Sequence, residues 1–434
     1  MIDLKLWNKL GIFPRSNYFI ARNSLMWHII LSELTRIGII HMNQTTKSDK
    51  NNSNKKKFRK GKILIVGNYT SPHFLGLISN FPEKVFKEIR TFNLSDKPSQ
   101  AASRNPRKIL NTILRLLLKT CPKKCKPAFK AYLLARLILK YKPEVVHLHE
   151  IEISSQILAK VVLYPKLSKT LNTVVFSSWG SDLRLGARFG RNSKQIDVCL
   201  SKADYVTVET QSEVLILQST NFSGSIYSGL LNSGGVGPVN RKTAQCSTRK
   251  GILVKGVQDL PGRALNALAV LPRIRSTLLE LNHKVYVYSA SPEVVIMCEL
   301  LKKDLGIDIE VVSQVGDLLE KSIFLKYFEE CRVYLGCSIS NGASTSMLEA
   351  MSRGAFPIES QNSLAEEVIK QSENGFIIDP WEQEVLAASL VEALSNDRMV
   401  DSAQEMNLRI IRENYSVIQQ KMLWTDFYRN VLVN

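Results

Sequence analysis

Apolar residues in this chain come in short unbroken runs that end on glycine or small polar residues, alternating with longer stretches in which apolar positions recur at helical spacing. The first rhythm belongs to strands buried on both faces, the second to helices that cover them. Lys62 to Val66 (KILIV) is such a strand, running into the tight loop Gly67-Asn68-Tyr69. Further strands are expected at Val145–His149, Thr173–Ser178 and Tyr205–Glu209, with helices over Ser154–Leu167 and Lys194–Ala203.

The rhythm breaks at Ser233-Gly234-Gly235-Val236-Gly237-Pro238 and the polar run up to Lys250, then restarts with Gly251–Lys255 (GILVK). From there the pattern predicts helix Gly262–Leu279, strand Lys284–Ser289, helix Pro292–Leu305 and strand Asp308–Val312. Strand Val333–Ser338, helix Thr345–Arg353 and strand Ala355–Ile358 follow, and the chain closes on a charged helical stretch from Met399 to Leu432. Strands alternating with helices form parallel sheets covered on both faces, so the fold class is α/β with two Rossmann-like, doubly wound domains. The expected division is an N-terminal extension and basic linker over 1–61, a first domain over 62–235, a second over 250–410, and a C-terminal helix over 411–434 that can pack back on the first domain.

Length supports this division, because 434 residues exceed what one core usually serves. Charge changes the picture of one region only. Residues 1–150 hold 29 Lys and Arg against 8 Asp and Glu, while the rest hold 29 against 31, so the whole excess behind the net +19 lies in the first third. Such a region attracts phosphate-bearing partners, anionic lipid head groups among them. The stretches Arg107–Lys119 and Lys126–Lys142 are basic and amphipathic, which favours an anionic membrane surface over nucleic acid, since aromatics at base-stacking spacing are missing. Seven cysteines in apolar surroundings suit free thiols in a reducing compartment, and the pair Cys121 and Cys125 has no partner pair at zinc-ligand spacing. No apolar run is long enough to span a bilayer, and a cytoplasmic protein, peripheral on the inner face of the cell membrane, is expected.

In open α/β sheets ligands bind beyond the carboxyl ends of the strands. The richest such position is Ser340-Asn341-Gly342-Ala343-Ser344-Thr345-Ser346-Met347-Leu348-Glu349, where small residues precede a helix start whose free amides attract anions. Glu349 stands about one turn in, where a carboxylate can accept two ribose hydroxyls; a capping box between Ser346 and Glu349 is the plainer reading of the same residues. Lys255 ends a strand and Arg263 opens the next helix, two cations placed to neutralise a diphosphate leaving group, though an isolated pair of this kind is more often solvated charge. In the first domain His147 and His149 alternate at a strand end. His147 reads as a hydrogen-bonded core histidine and His149 as the site candidate. Trp179-Gly180-Ser181-Asp182 closes the strand TVVFSS.

Taken together these motifs resemble the large retaining glycosyltransferase family of GT-B fold, family 4-like, that builds bacterial cell-surface polysaccharides. The resemblance covers about residues 62 to 416 and is carried by SNGASTSMLEAMSRGAFPIES, Glu366-Glu367-Val368-Ile369, Asn374-Gly375-Phe376-Ile377-Ile378 and Arg412-Glu413-Asn414-Tyr415-Ser416, in family order. It implies a nucleotide-sugar transferase whose donor site comprises Lys255, Arg263, Gly342, Ser344, Thr345, Ser346 and Glu349. It further implies an acceptor side with Gly67, Asn68, Trp179, Ser181 and Asp182, and a reacting centre between Asn341 and His149. The family carries two glutamates eight apart; here Glu349 matches the second and Asn341 stands at the first. Trp179 stands where the family tends to have histidine, and reads as a stacking surface for a sugar.

The resemblance implies no cofactor and no metal, with a UDP- or GDP-sugar as co-substrate and a glycan or lipid-linked oligosaccharide as acceptor. A nucleotide-sugar epimerase of GT-B type and a non-catalytic binding protein of the same fold are the alternatives.

Overall fold

A computed structural model describes residues 60–69, 71–94, 126–150, 154, 157, 158, 171–189, 193–237, 243–317, 320–361 and 363–433. Two six-stranded parallel sheets organise them. The first contains β1 (Gly61–Gly67), β2 (Phe86–Asn93), β3 (Val145–His149), β4 (Thr173–Ser177), β5 (Tyr205–Thr207) and β6 (Ser225–Tyr227), in the order β2-β1-β3-β4-β5-β6. The second contains β7 (Gly251–Lys255), β8 (Lys284–Tyr288), β9 (Ile309–Val311), β10 (Cys331–Gly336), β11 (Phe356–Ser360) and β12 (Phe376–Ile378), ordered β12-β11-β10-β7-β8-β9. The α/β, doubly wound reading therefore holds.

Strand direction explains the apolar runs. Along β1, Leu64 and Val66 enter one core layer while Ile63 and Ile65 enter the other, so every residue of ILIV is buried. The pair of layers repeats in the second lobe, with Ile252 and Val254 on one face of β7 and Leu253 on the other. The edge strands β2 and β6 were not expected from the pattern. β2 is largely half-exposed and charged, and β6 is three residues long, as edges that avoid further pairing tend to be.

Three expected elements differ in extent. The single helix over Gly262–Leu279 is two, Ala264–Leu268 and Arg275–Glu280, because Pro272 supplies no amide and disfavours helix at the residue before it. The strand expected to reach Glu209 ends at Thr207, which leaves Glu209 in the loop beyond the sheet. The final stretch is helix Asp397–Ile410, a π turn over Ile411–Tyr415, and helix Val417–Val433, divided at the extended Ser416. At that division the two lobes are stitched: Val236 donates its amide to Tyr415 O at 3.0 Å and accepts from Val417 N at 3.0 Å.

The last helix returns to the first lobe. Trp424, Phe427, Tyr428 and Val431 are buried with Ile63, Val145, Val175 and Phe81, forming the core layer on one face of the first sheet. Each such side chain contributes roughly 1.5–3 kcal/mol through burial, so the first lobe is completed by residues from the far end of the sequence.

The basic helix Lys126–Tyr141 turns its apolar residues, Ala128, Phe129, Ala131, Leu134 and Ile138 among them, into the first lobe. Its apolar face is thus taken up by the core, and only its basic face is left to meet anything outside. Arg107–Lys119, Cys121, Cys125 and most of the expected Ser154–Leu167 helix lie outside the described residues. Cys199, Cys246, Cys298, Cys331 and Cys337 are buried free thiols. No helix among the described residues is long and apolar enough to cross a membrane.

Candidate functional site

Each sheet has one place where the chain, having wound outward in one direction, returns to wind in the other. In the second sheet that crevice lies between β7 and β10, in the first between β1 and β3. Crevices of this kind collect ligands at the strands' carboxyl ends. The sequence candidates fall around both.

Beyond β10, residues 337–344 lead into the helix Thr345–Ser352. Ser344 is its N-cap, with extended backbone and its Oγ accepting from Met347 N at 3.4 Å. The cap is therefore Ser344 and not Ser346, and the box between Ser346 and Glu349 does not form: Ser346 sits inside the first turn and Glu349, 8% exposed, in the second. Just before the cap, Ser340 Oγ and Asn341 Nδ2 are buried without hydrogen-bond partners. Buried polar atoms are nearly always paired, so orphans gathered at a helix mouth mark a place for a polar ligand.

Lys255 closes β7 beside this mouth. Its charge is felt in two directions. It opposes the burial that raises the carboxyl of Glu359, 1% exposed at the end of β11. It also adds to the desolvation that holds His73 down at about 4. His73 belongs to the helix Pro72–Ser79 of the other lobe and is an exposed residue there. Lys255 is thus a cation whose charge is felt in both lobes. Arg263 sits at the N-cap of Ala264–Leu268, where its Nη1 donates to Asp259 O, Leu260 O and Gly262 O at 2.7–2.9 Å and its guanidinium lies over Trp381 at 5.3 Å. That arginine braces its own loop.

In the first lobe Trp179-Gly180-Ser181-Asp182 is folded by Asp182, whose Oδ1 accepts from Ser178 Oγ, Trp179 N and Leu183 N. Asp182 is the organiser of this turn, and Ser181 opens the helix Ser181–Phe189. The arrangement leaves Trp179 Nε1 buried and unpaired, its ring edge-on to His73 at 6.0 Å. Gly67 lies against the Phe74 ring so closely that a Cβ there would overlap it, and Asn68 turns the chain by accepting from Ser71 N at 3.0 Å.

The two histidines of β3 differ. His147 bonds Tyr428 OH through Nδ1 at 2.6 Å and Ser177 Oγ through Nε2 at 2.7 Å, the hydrogen-bonded core histidine the sequence suggested. His149 is also fully buried, under Phe74, with no partner on either nitrogen; burial holds its pKa near 3, with Asn232 beside it a smaller opposing influence. It is a neutral ring at the carboxyl end of β3. Asn232 Oδ1 and Ser233 Oγ, also unpaired, lie in the loop next to it.

The lobes meet at two glycines. Gly180, at φ +81°, packs on Gly342 so tightly that a Cβ on it would overlap the Gly342 backbone. Glu209, 7% exposed, reaches across from the end of the first sheet: its Oε2 accepts from Ala343 N at 2.6 Å while Oε1 accepts from Asn232 N at 2.9 Å. Burial first, then the neighbouring Glu213, raises this carboxyl to about 8. The structure therefore brings together Trp179, Gly180, Lys255, Asn341, Gly342 and Ser344, buries His149 at the end of β3, and turns Arg263 onto its loop. Sequence reasoning missed Glu209, His73, Asn232 and Glu359. The available signal was a charged residue directly beyond a buried run, as in VTVE and FPIE.

The arrangement offers main-chain amides, hydroxyls and a lysine, a set suited to a phosphorylated polyol. Among the described residues no three His, Cys, Asp or Glu side chains cluster as metal ligands.

Comparison with known proteins bears on the fold and on one segment of the chain. Residues 296–415 match the family model of glycosyl transferases group 1, a span that includes Asn341, Ser344, Glu349 and Glu359. No curated protein matches by sequence. Among solved structures, the chain is similar to sucrose-phosphate synthase from Thermosynechococcus elongatus, with TM-score 0.59 and 14% identity over 86% of this chain and 100% of that one. It is similar to the lipopolysaccharide outer core galactosyltransferase WaaB, with TM-score 0.57 and 15% identity over 86% and 99%. It is also similar to the Anabaena protein HepE in complex with UDP-glucose, with TM-score 0.59 and 12% identity over 85% and 100%. Two parallel-sheet lobes that face each other at their strands' carboxyl ends, joined by a helix returning from the second to the first, make this chain a GT-B fold.

Proposed function

We propose that this protein transfers a sugar from a nucleotide-sugar donor to an acceptor bound by the first lobe, with retention of configuration. The observation that carries the reading is the set of unpaired buried polar atoms from both lobes, Ser340 Oγ and Asn341 Nδ2 of the second and Trp179 Nε1 of the first, where Gly180 packs on Gly342 before one helix mouth. Such a set fits a sugar held between the lobes with its leaving phosphates on the second. The group 1 match over this segment and the UDP-glucose bound by HepE favour the same reading, with a UDP-sugar ahead of a GDP-sugar.

In this mechanism Glu349 accepts the ribose hydroxyls, and the amides at Ser344, Thr345 and Ser346 with Lys255 stabilise the diphosphate as charge develops on it. Asn341 and the amide of Gly342 hold the sugar. Trp179 supplies an apolar face for the acceptor, in the turn that Ser181 and Asp182 shape beside Gly67 and Asn68. Attack comes from the face the phosphate leaves, so that the departing oxygen takes the acceptor's proton and the protein contributes position and charge. No metal takes part, because the lysine and amides meet the leaving group. The acceptor is a glycan or lipid-linked oligosaccharide of cell-surface polysaccharide synthesis, reached from the inner membrane face through the basic first third.

Thermal-shift screening against UDP-, GDP- and ADP-sugars tests the reading. One donor raises the melting temperature of the wild type, and Glu349→Ala loses that rise. Absence of a response to any nucleotide sugar overturns it. Isomerised donor without acceptor turns it into an epimerase.

A further inference from the structure

The contact of Glu209 with Ala343 N has a counterpart running the other way. Glu367, from the second lobe, accepts from Gln211 N at 2.5 Å, and Gln211 is the first residue of the helix Gln211–Gln218. The two contacts are thus two residues apart on the first lobe, and each joins a carboxylate of one lobe to a main-chain amide of the other. Burial raises the carboxyl of Glu367, and the amides at this helix start and, after them, Arg184 of the first lobe work against that rise. Glu209 is anchored from behind by Asn232 N, and Glu213, itself fixed by Ser178 Oγ, Thr210 N and Thr210 Oγ1, holds the main-chain amide of Glu209 at 3.2 Å. It reaches the second lobe from a fixed base.

We propose that Glu209 and Glu367 form a reciprocal clasp that holds the lobes closed, and that Glu209 through it positions the 341–344 segment for transfer. The Gly180 and Gly342 contact beside it gives the reason for glycine at both places. A side chain on Gly342 would also overlap the Glu209 carboxylate. Because Ala343 N is tied to Glu209, the loop between Asn341 and the Ser344 cap has one conformation only when the cleft is shut. Closure and the geometry of the donor loop are therefore one event. The positioning half rests on the function proposed above; the clasp itself does not.

The test separates the two. Donor and acceptor dyes placed on the exposed positions Lys202 and Glu299 of the two lobes report the distance between them by energy transfer in the protein without substrate. Glu209→Ala and Glu367→Ala shift the population to the open form, and Glu209→Gln, which retains one acceptor oxygen, shifts it less. Circular dichroism confirms that each variant is folded. In turnover, Glu209→Ala lowers kcat by about 10-fold with donor KM within about twofold, because the donor enters the open second lobe first, and Glu209→Gln recovers part of the loss. Unchanged energy transfer in both alanine variants overturns the clasp. Changed energy transfer with unchanged kcat overturns the positioning role alone. A wild type that closes but transfers no sugar removes the functional reading and leaves the clasp standing.

Discussion

The two lobes share a topology and build their halves of the cleft from different materials. The second lobe presents main chain: small residues 340–344, a serine-capped helix start, and one lysine at a strand end. The first lobe presents buried ionisable side chains that depend on each other: Asp182 fixed by three donors, Glu209 and Glu213 side by side, His147 tied to Tyr428. Main-chain amides need no desolvated charge to bind an anion, whereas buried carboxylates and imidazoles shift their protonation. Thus Glu150 and Glu209 rise to about 7 and 8 by burial, while His149 falls to about 3. The second lobe can hold its half of the site with local structure; the first holds its half only in the assembled molecule.

The largest effect is expected where the two constructions touch. Gly180→Ala places a methyl group into the Gly342 backbone at a φ of +81° that alanine rarely adopts, so neither side can yield cheaply. Transfer should fall by at least ~100-fold, the scale of a misplaced reacting centre, while nucleotide-sugar binding to the second lobe persists. Steady-state kinetics with donor titration checks both. Turnover within twofold of wild type would show that the working cleft never closes this far.

This difference also decides what the sequence revealed. The donor half was legible because its parts are contiguous: strand, small-residue loop, cap and Glu349 fall within residues 331–349. Even there the cap was misplaced by two residues, since Ser344 and Ser346 are equivalent to a pattern and only backbone angles separate them. The acceptor half was legible as strand ends and as the turn Trp179 to Asp182, but not in the buried partners that hold it. Glu209 meets a residue 134 positions away and His147 one 281 away, and no periodicity encodes such partners. Arg263 illustrates the same limit from the other side, because the main-chain carbonyls its Nη1 meets in its own loop were not encoded in the pattern.

A smaller, purely structural effect isolates the first lobe's dependence on the returning helix. Tyr428 OH, His147, Ser177 and Thr207 form one buried chain of hydrogen bonds spanning β3, β4 and β5. Tyr428→Phe keeps the ring among Phe81, Phe86 and Trp424 but leaves His147 Nδ1 buried without a partner. The cost is about 1–3 kcal/mol, the desolvation of an unsatisfied polar group. Urea unfolding should show a lower midpoint for the first lobe with donor affinity unchanged. An unaltered midpoint would mean that the hydroxyl contributes nothing beyond its ring.

The smallest effect concerns pH. Glu209 carries a carboxyl raised from its usual 4.5 to about 8, by burial and by Glu213 and Asp182, against the amides of Ala343 and Asn232 that favour its charge. A proton is then held more tightly in the folded, closed protein than in the unfolded chain. Its contribution is fully present below about 4.5 and is lost as pH rises through about 8. Glu209→Gln has no carboxyl to titrate. Melting temperatures measured from pH 4.5 to 9 should therefore show the wild type falling relative to the variant across this window. Glu150, raised to about 7 in the same lobe, titrates in both proteins and cancels from the difference. Glu359 of the second lobe, also raised by burial, titrates in both proteins and cancels in the same way. A flat difference curve would place Glu209 among ordinary ionised carboxylates and would erase the electrical contrast between the lobes at the point where they meet.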